Sequence, residues 1–109
     1  MKTITVVGLG YIGLPTAITL AQAGFDVSGF DVNEKVLAQL RSGKIHIVEP
    51  GLQEAFTAAT LSGKLTFADK CPSTDAYIIC VPTPFTAENG KRRADLRFVR
   101  SAAEVISKA

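Results

Sequence analysis

The run Thr3 to Val7 (TITVV) leads directly into Gly8-Leu9-Gly10-Tyr11-Ile12-Gly13, and that junction limits the fold more than any other stretch of the chain. A β-branched run closed by glycine reads as a buried strand. From Tyr11 to Ala23 the apolar residues Ile12, Ala17, Ile18, Leu20, Ala21 and Ala23 recur at helical spacing, with Gly24 placed to cap the end. Phe25 to Phe30 (FDVSGF) predicts a second strand ending at Asp31. A GxGxxG pattern alone is a weak signal. Here it follows a strand, opens a helix and has an acidic residue about twenty positions on, which is the context of a dinucleotide fingerprint. In that reading Gly8 permits the tight turn, Gly10 lets the backbone approach a pyrophosphate, and Gly13 lets the helix pack closely on the strand. The free N–H groups and positive dipole end of the helix stabilise phosphate charge, and Asp31 accepts hydrogen bonds from the adenosine ribose. The bland alternative is a glycine turn in a nucleotide-free α/β protein, with Asp31 on the surface.

The remaining pattern keeps alternating. Asn33 offers an N-cap for a helix carrying Val36, Leu37 and Leu40, stopped by Ser42-Gly43. A loop from Lys44 to Pro50 precedes a helix at about Gly51 to Leu61, and Leu65 to Ala68 predicts a short strand. Ala76 to Val81 (AYIICV) is continuously apolar, as expected of a parallel strand covered on both faces. Thr86 to Arg93 is polar, contains Asn89-Gly90 and reads as an exposed loop. Asp95 is expected to cap a last helix bearing Leu96, Phe98, Val99, Ala102, Ala103 and Ile106. Strands alternating with helices predict an α/β fold, a Rossmann-type parallel sheet in the order 3-2-1-4 with helices on both faces. A complete dinucleotide fold adds a fifth and sixth strand, so residues 1–109 are expected to be one partial N-terminal domain. The strand Ala76 to Val81 then has an open outer edge, through which the isolated chain is expected to associate.

Composition narrows the partners. A formal charge of +2 is too small for a nucleic-acid partner, and no apolar run reaches the roughly 18 residues of a membrane span. The chain begins on a strand-like stretch rather than a charged leader, so a cytoplasmic location is expected. Cys71 and Cys80 have neither redox-pair nor zinc-site spacing and are expected to be reduced, Cys80 as a small core residue and Cys71 in a turn.

Weaker candidates remain. Val81-Pro82-Thr83-Pro84 follows the fourth strand, at the point where strand order reverses and ligands collect. Thr83 there is a candidate to offer its hydroxyl or backbone to the cofactor, unless the prolines simply stiffen a turn. His46, between Ile45 and Ile47, either faces a substrate or alternates across a packed loop. Lys91, Arg92, Arg93, Arg97 and Arg100 form a basic cluster that a solvated surface explains, and no role is assigned to it.

The stretch VVGLGYIGLPTA (Val6 to Ala17) resembles the opening of the UDP-glucose/GDP-mannose dehydrogenase family, for which GLGYxGLP is characteristic. Phe30 to Asn33, Gly43 to Pro50 (GKIHIVEP) and Val81 to Phe85 (VPTPF) resemble further family segments in the same order and spacing. The resemblance implies NAD as cofactor, bound by Gly8, Gly10, Tyr11, Ile12, Gly13, Asp31 and Thr83. It implies a parent enzyme, a homo-oligomer, that oxidises the C6 alcohol of a UDP-sugar to a carboxylate with two NAD through an aldehyde or thiohemiacetal stage. The family's nucleophilic cysteine lies in a glycine-rich motif that nothing here matches; Cys71 and Cys80 lack its flanking glycines, so no catalytic residue is assigned. Ala94 and Arg100 depart from the proline and acidic residue the pattern leads one to expect, both beyond the cofactor turn.

Two rivals stay open on the residues alone. One is a dehydrogenase of 2-hydroxy or 3-hydroxy acids, against which the segment Ile45 to Pro50 argues. The other is a non-catalytic module that senses NAD by changing shape.

Overall fold

A computed structural model describes residues 2–81, 85–88, 91–94 and 96–109, with side chains placed for 2–81 and 96–109. The chain runs β1 (Thr3–Val7), α1 (Gly13–Gln22), β2 (Asp26–Phe30), α2 (Glu34–Arg41), α3 (Leu52–Leu61), β3 (Leu65–Phe67), β4 (Ala76–Ile79), β5 (Phe85–Glu88), β6 (Lys91–Ala94) and α4 (Arg97–Ser107). Four strands form a parallel sheet in the order β3-β2-β1-β4, as the alternating pattern predicts. The register pairs Val7 with both Phe30 and Ile79, which brings the carboxyl ends of β1, β2 and β4 level with one another.

Alternation along each strand distributes the core. Ile4 and Val6 of β1 and Val27 of β2 join Leu14, Ala17, Ile18 and Ala21 of α1, Leu37 and Leu40 of α2, and Leu52, Phe56 and Ala59 of α3 in one buried cluster. Phe56 stacks on Phe67, with ring centroids 5.9 Å apart. On the opposite face Val7 and Phe30 meet Ala102 of α4, with Val105 and Ile106 beside it. Three helices thus cover one face, and α4 holds the other at the strand ends.

Local sequence explains the ends of the elements. Asn33 caps α2 as expected, its Oδ1 accepting the N–H groups of Lys35 and Val36. Pro15 is the third residue of α1, within the first turn; with Leu14 bonded to Gly10 and Thr16 to Ile12 on either side, its missing N–H forgoes one bond, to Tyr11. Gln53 of α3 ties down the preceding loop by donating to the Gly43 carbonyl while its Oε1 accepts the Ile45 N–H.

Two expectations need correction, and a third falls on a residue that is not described. The segment Thr86 to Arg93, expected as an exposed loop, contains β5 and β6, which pair antiparallel from Phe85 with Ala94 to Glu88 with Lys91. Asp95, expected to cap α4, lies outside the described residues; the residue before the first turn, Leu96, makes no side-chain capping bond. Cys80 is half-buried, packed against the core cluster rather than inside it, and lies just past the end of β4, which among the described residues pairs only with β1. Both cysteines are free thiols, and burial pushes each above the usual thiol pKa.

Candidate functional site

A cleft of about 520 Å³ opens where β1, β2 and β4 end, floored by the turn Gly8 to Ile12 and walled by Asp31, Val81 and one side of α4. It lies between β1 and β4, where the strand order reverses, the usual place for a ligand in such sheets.

The glycines of the turn are required for different reasons. Gly8 has φ +98°, donates its N–H to the Phe30 carbonyl at 2.8 Å, and passes so close to β4 that an added Cβ would lie 2.5 Å from the Cys80 carbonyl oxygen. A Cβ on Gly13 would collide with the Gly8 carbonyl, so this glycine lets α1 dock against the turn. Gly10 is unlike both. A Cβ there would meet nothing within 4 Å and its φ is ordinary, although the residue lines the cleft. The fold itself therefore accounts for Gly8 and Gly13 and leaves room at Gly10.

The start of α1 faces the same space. No side chain caps it, its first turn holds no acidic residue, and the N–H groups of Tyr11, Ile12 and Gly13 find no acceptor among the described residues. Uncompensated amides at the positive end of a helix dipole suit an anionic group. Tyr11 and Ile12 are largely exposed, 77 % and 70 %, at the rim of the cleft.

Asp31 is half-buried at the end of β2. Its Oδ2 accepts the Leu9 N–H at 2.9 Å, and its Oδ1 accepts the Asn33 N–H at 2.9 Å. The carboxylate thus fixes the glycine turn to the start of α2, while each oxygen retains a lone pair for a further donor.

Of the residues singled out from sequence, Gly8, Gly10, Tyr11, Ile12 and Asp31 line one cleft, and Gly13 sits directly behind its floor. Thr83 lies outside the described residues. His46 is half-buried away from the cleft, its Nδ1 buried without a partner among the described residues, between Ile45 and Ile47, which pack on the core. Among the described residues no group of three or more His, Cys, Asp or Glu side chains is arranged to hold a metal ion. No helix among them is long and apolar enough to cross a membrane.

Sequence reasoning missed part of the wall. Val32, Val36, Phe98, Ser101 and Val105 line the cleft beside Asp31, and Phe98 keeps 43 % of its surface exposed there. The apolar stripe of α4 was visible as a packing face, but only the tertiary position of the helix shows that its first turns overhang a cleft.

The profile described as "UDP-glucose/GDP-mannose dehydrogenase family, NAD binding domain" matches residues 2–109. A UDP-N-acetyl-D-mannosamine dehydrogenase from Methanococcus maripaludis is 50 % identical over 107 residues, 97 % of this chain and 25 % of that protein. An NDP-N-acetyl-D-galactosaminuronic acid dehydrogenase from Ralstonia nicotianae is 42 % identical over 97 % of this chain and 24 % of its own length. Among solved structures, a UDP-N-acetyl-mannosamine dehydrogenase from S. aureus superposes with a TM-score of 0.94 at 43 % identity, covering 98 % of this chain and 25 % of that one. The chain thus spans about a quarter of the length of the relatives it matches.

Proposed function

Since the chain belongs to the UDP-glucose/GDP-mannose dehydrogenase family and matches its NAD-binding domain, we propose that residues 1–109 form the amino-terminal part of that domain in a nucleotide-sugar 6-dehydrogenase. The substrate class is a UDP-sugar, and UDP-N-acetyl-D-mannosamine is favoured because relatives 50 % and 43 % identical carry that name. Oxidising a primary alcohol to a carboxylate removes two hydrides, so each turnover uses two NAD. The same reading places the parent in the cytoplasm as a homo-oligomer supplying uronates for polysaccharide synthesis. Membership of the family leaves the 2-hydroxy and 3-hydroxy acid dehydrogenases without support.

One observation carries the cofactor site. Gly10 lacks a side chain where no described contact requires it, beside amides at the start of α1 that have no acceptor among the described residues. The pyrophosphate would lie against Gly10, Tyr11, Ile12 and Gly13, with Gly8 shaping the turn. The ribose hydroxyls would donate to the free lone pairs of Asp31, and the apolar wall of Val32 and Phe98 would shelter the adenine. We add Thr83, which follows β4 in sequence, as a further cofactor contact. When bound, NAD supplies the hydride acceptor; this chain's residues bind and orient it and exclude water. No residue of the chain matches the family's nucleophile, so sugar oxidation would need the remainder of the parent.

Calorimetric titration with NAD and NADP tests the site. The chain should prefer NAD, and Asp31→Ala should weaken NAD by about ten- to hundredfold, the equivalent of a hydrogen bond to a charged group. Equal affinity for both cofactors, or unchanged binding in Asp31→Ala, would remove Asp31 from the site.

A further inference from the structure

Asp31 also lines a second cleft, of about 530 Å³, on the α2 side of the β2 end. Its other charged walls are Glu34, Arg41 and Asp69. Asp31 lines both clefts, so a phosphate on the 2′ oxygen of a ribose held at Asp31 would lie beside this second space.

Among the described residues Arg41 is the single cation lining it, against three carboxylates. A guanidinium is the side chain best shaped to grip a phosphate. Here it is already engaged: Nη1 donates to Asp69 Oδ1 at 2.6 Å and Nη2 to the Phe67 carbonyl at 3.1 Å. The pair is exposed, 41 % and 81 %, and exposed pairs contribute little to stability. Its consequence is where it keeps the guanidinium.

We propose that Asp69 is a specificity-determining residue that withholds Arg41 from the 2′ position and so reinforces the preference for NAD over NADP. The inference rests on reading the first cleft as the NAD site. Asp31 repels a 2′-phosphate directly, and Asp69 acts by occupying the guanidinium that would otherwise neutralise that phosphate. Release of Arg41 leaves a cation at the end of α2 on the wall of the space the phosphate enters.

The test titrates NAD, NADP, ADP and adenosine 2′,5′-bisphosphate into the unaltered protein, Asp69→Ala and Asp69→Ala/Arg41→Ala, with circular dichroism to establish folding. Asp69→Ala should bind NADP and the bisphosphate about tenfold more tightly, one charge-assisted hydrogen bond regained, with NAD and ADP nearly unchanged. Adding Arg41→Ala should abolish the gain. No gain in Asp69→Ala overturns the proposal, and so does a gain that survives loss of Arg41, which would reflect charge removal alone. If the unaltered protein binds neither NAD nor ADP, the cofactor site itself is wrong and this inference falls with it; NAD binding without an Asp69 effect overturns only the inference.

Discussion

A methyl group added at each fingerprint glycine meets different surroundings, so three alanine variants separate folding from binding. Gly8→Ala would place a side chain at φ +98° and 2.5 Å from a β4 carbonyl oxygen, and Gly13→Ala would drive one into the Gly8 carbonyl. Each should cost on the order of 2 kcal/mol or more, because backbone cannot yield as a flexible side chain does. Gly10→Ala meets nothing and should unfold within about 0.5 kcal/mol of the unaltered chain, as surface substitutions do. Its NAD affinity should nevertheless fall by about tenfold or more, since the methyl group would fill the approach of the pyrophosphate. Urea unfolding and calorimetry on the three variants check both halves, and a Gly10→Ala chain that binds NAD undiminished would refute the role given to that residue. The structural roles of Gly8 and Gly13 were legible because the spacing, set between a strand and a helix, assigns them. The bonds from Leu9 and Asn33 to Asp31 were not, since a ribose partner and a backbone partner place the same demand for a carboxylate on the sequence.

At the scale of elements, legibility followed hydrophobic pattern. The strand–helix–strand–helix run from β1 to α2 was readable because apolar residues recur at one clear period in each element and Asn33 marks a boundary. The β5–β6 hairpin reads as a loop in sequence because KRRA has no alternating apolar pattern and the two runs include Ala, Glu and Lys, which strands disfavour. Asn-Gly between them was the one hairpin signal, and it equally fits a plain turn. The connection from β3 to β4 was also silent in sequence, yet it latches onto β1. Asp75 Oδ2 accepts the N–H of Thr3 at 2.9 Å and its hydroxyl at 3.3 Å, and the Thr5 and Thr74 hydroxyls lie 2.8 Å apart. The backbone bond and then the hydroxyl bond from Thr3 hold the Asp75 carboxyl below the usual aspartate pKa. A folded pKa depressed in this way gives stability that is complete above the unfolded aspartate value of about 3.9 and lost as pH falls through the folded value. Urea midpoints measured from neutral to acid pH should therefore fall less steeply below about pH 4 in Asp75→Asn than in the unaltered chain. Parallel curves would mean that the latch does not act through the ionised carboxylate.

For the whole molecule, the sheet order has a consequence that no single element carries. Among the described residues β4 pairs with β1 on one side only, and β5 and β6 pair with each other in a separate two-stranded sheet. The Cys80 N–H donates to the Val7 carbonyl at 2.7 Å, and since amides alternate sides along a strand, those of Tyr77 and Ile79 point to the open edge. Neither charge nor proline blunts β4, whose sequence is AYII, and Ile79, Leu96 and Phe98 leave apolar surface nearby in sequence or on the adjoining helix. An unprotected apolar edge is a template for another strand. The 109-residue chain studied alone should therefore associate through β4, giving a dimer with one continuous sheet or larger assemblies. Sedimentation over a concentration series reads this directly, and hydrogen exchange at Tyr77 and Ile79 should slow as concentration rises. A proline at the outward-facing position, Ile79→Pro, would also disturb the sheet, so the cleaner variant is Ile79→Lys, which places a charge beside the edge. That variant should sediment as a smaller species while retaining NAD binding, because Ile79 does not line the cofactor cleft. A monomer at every concentration up to about 1 mM, with the Tyr77 and Ile79 amides protected throughout, would mean that the chain covers this edge itself.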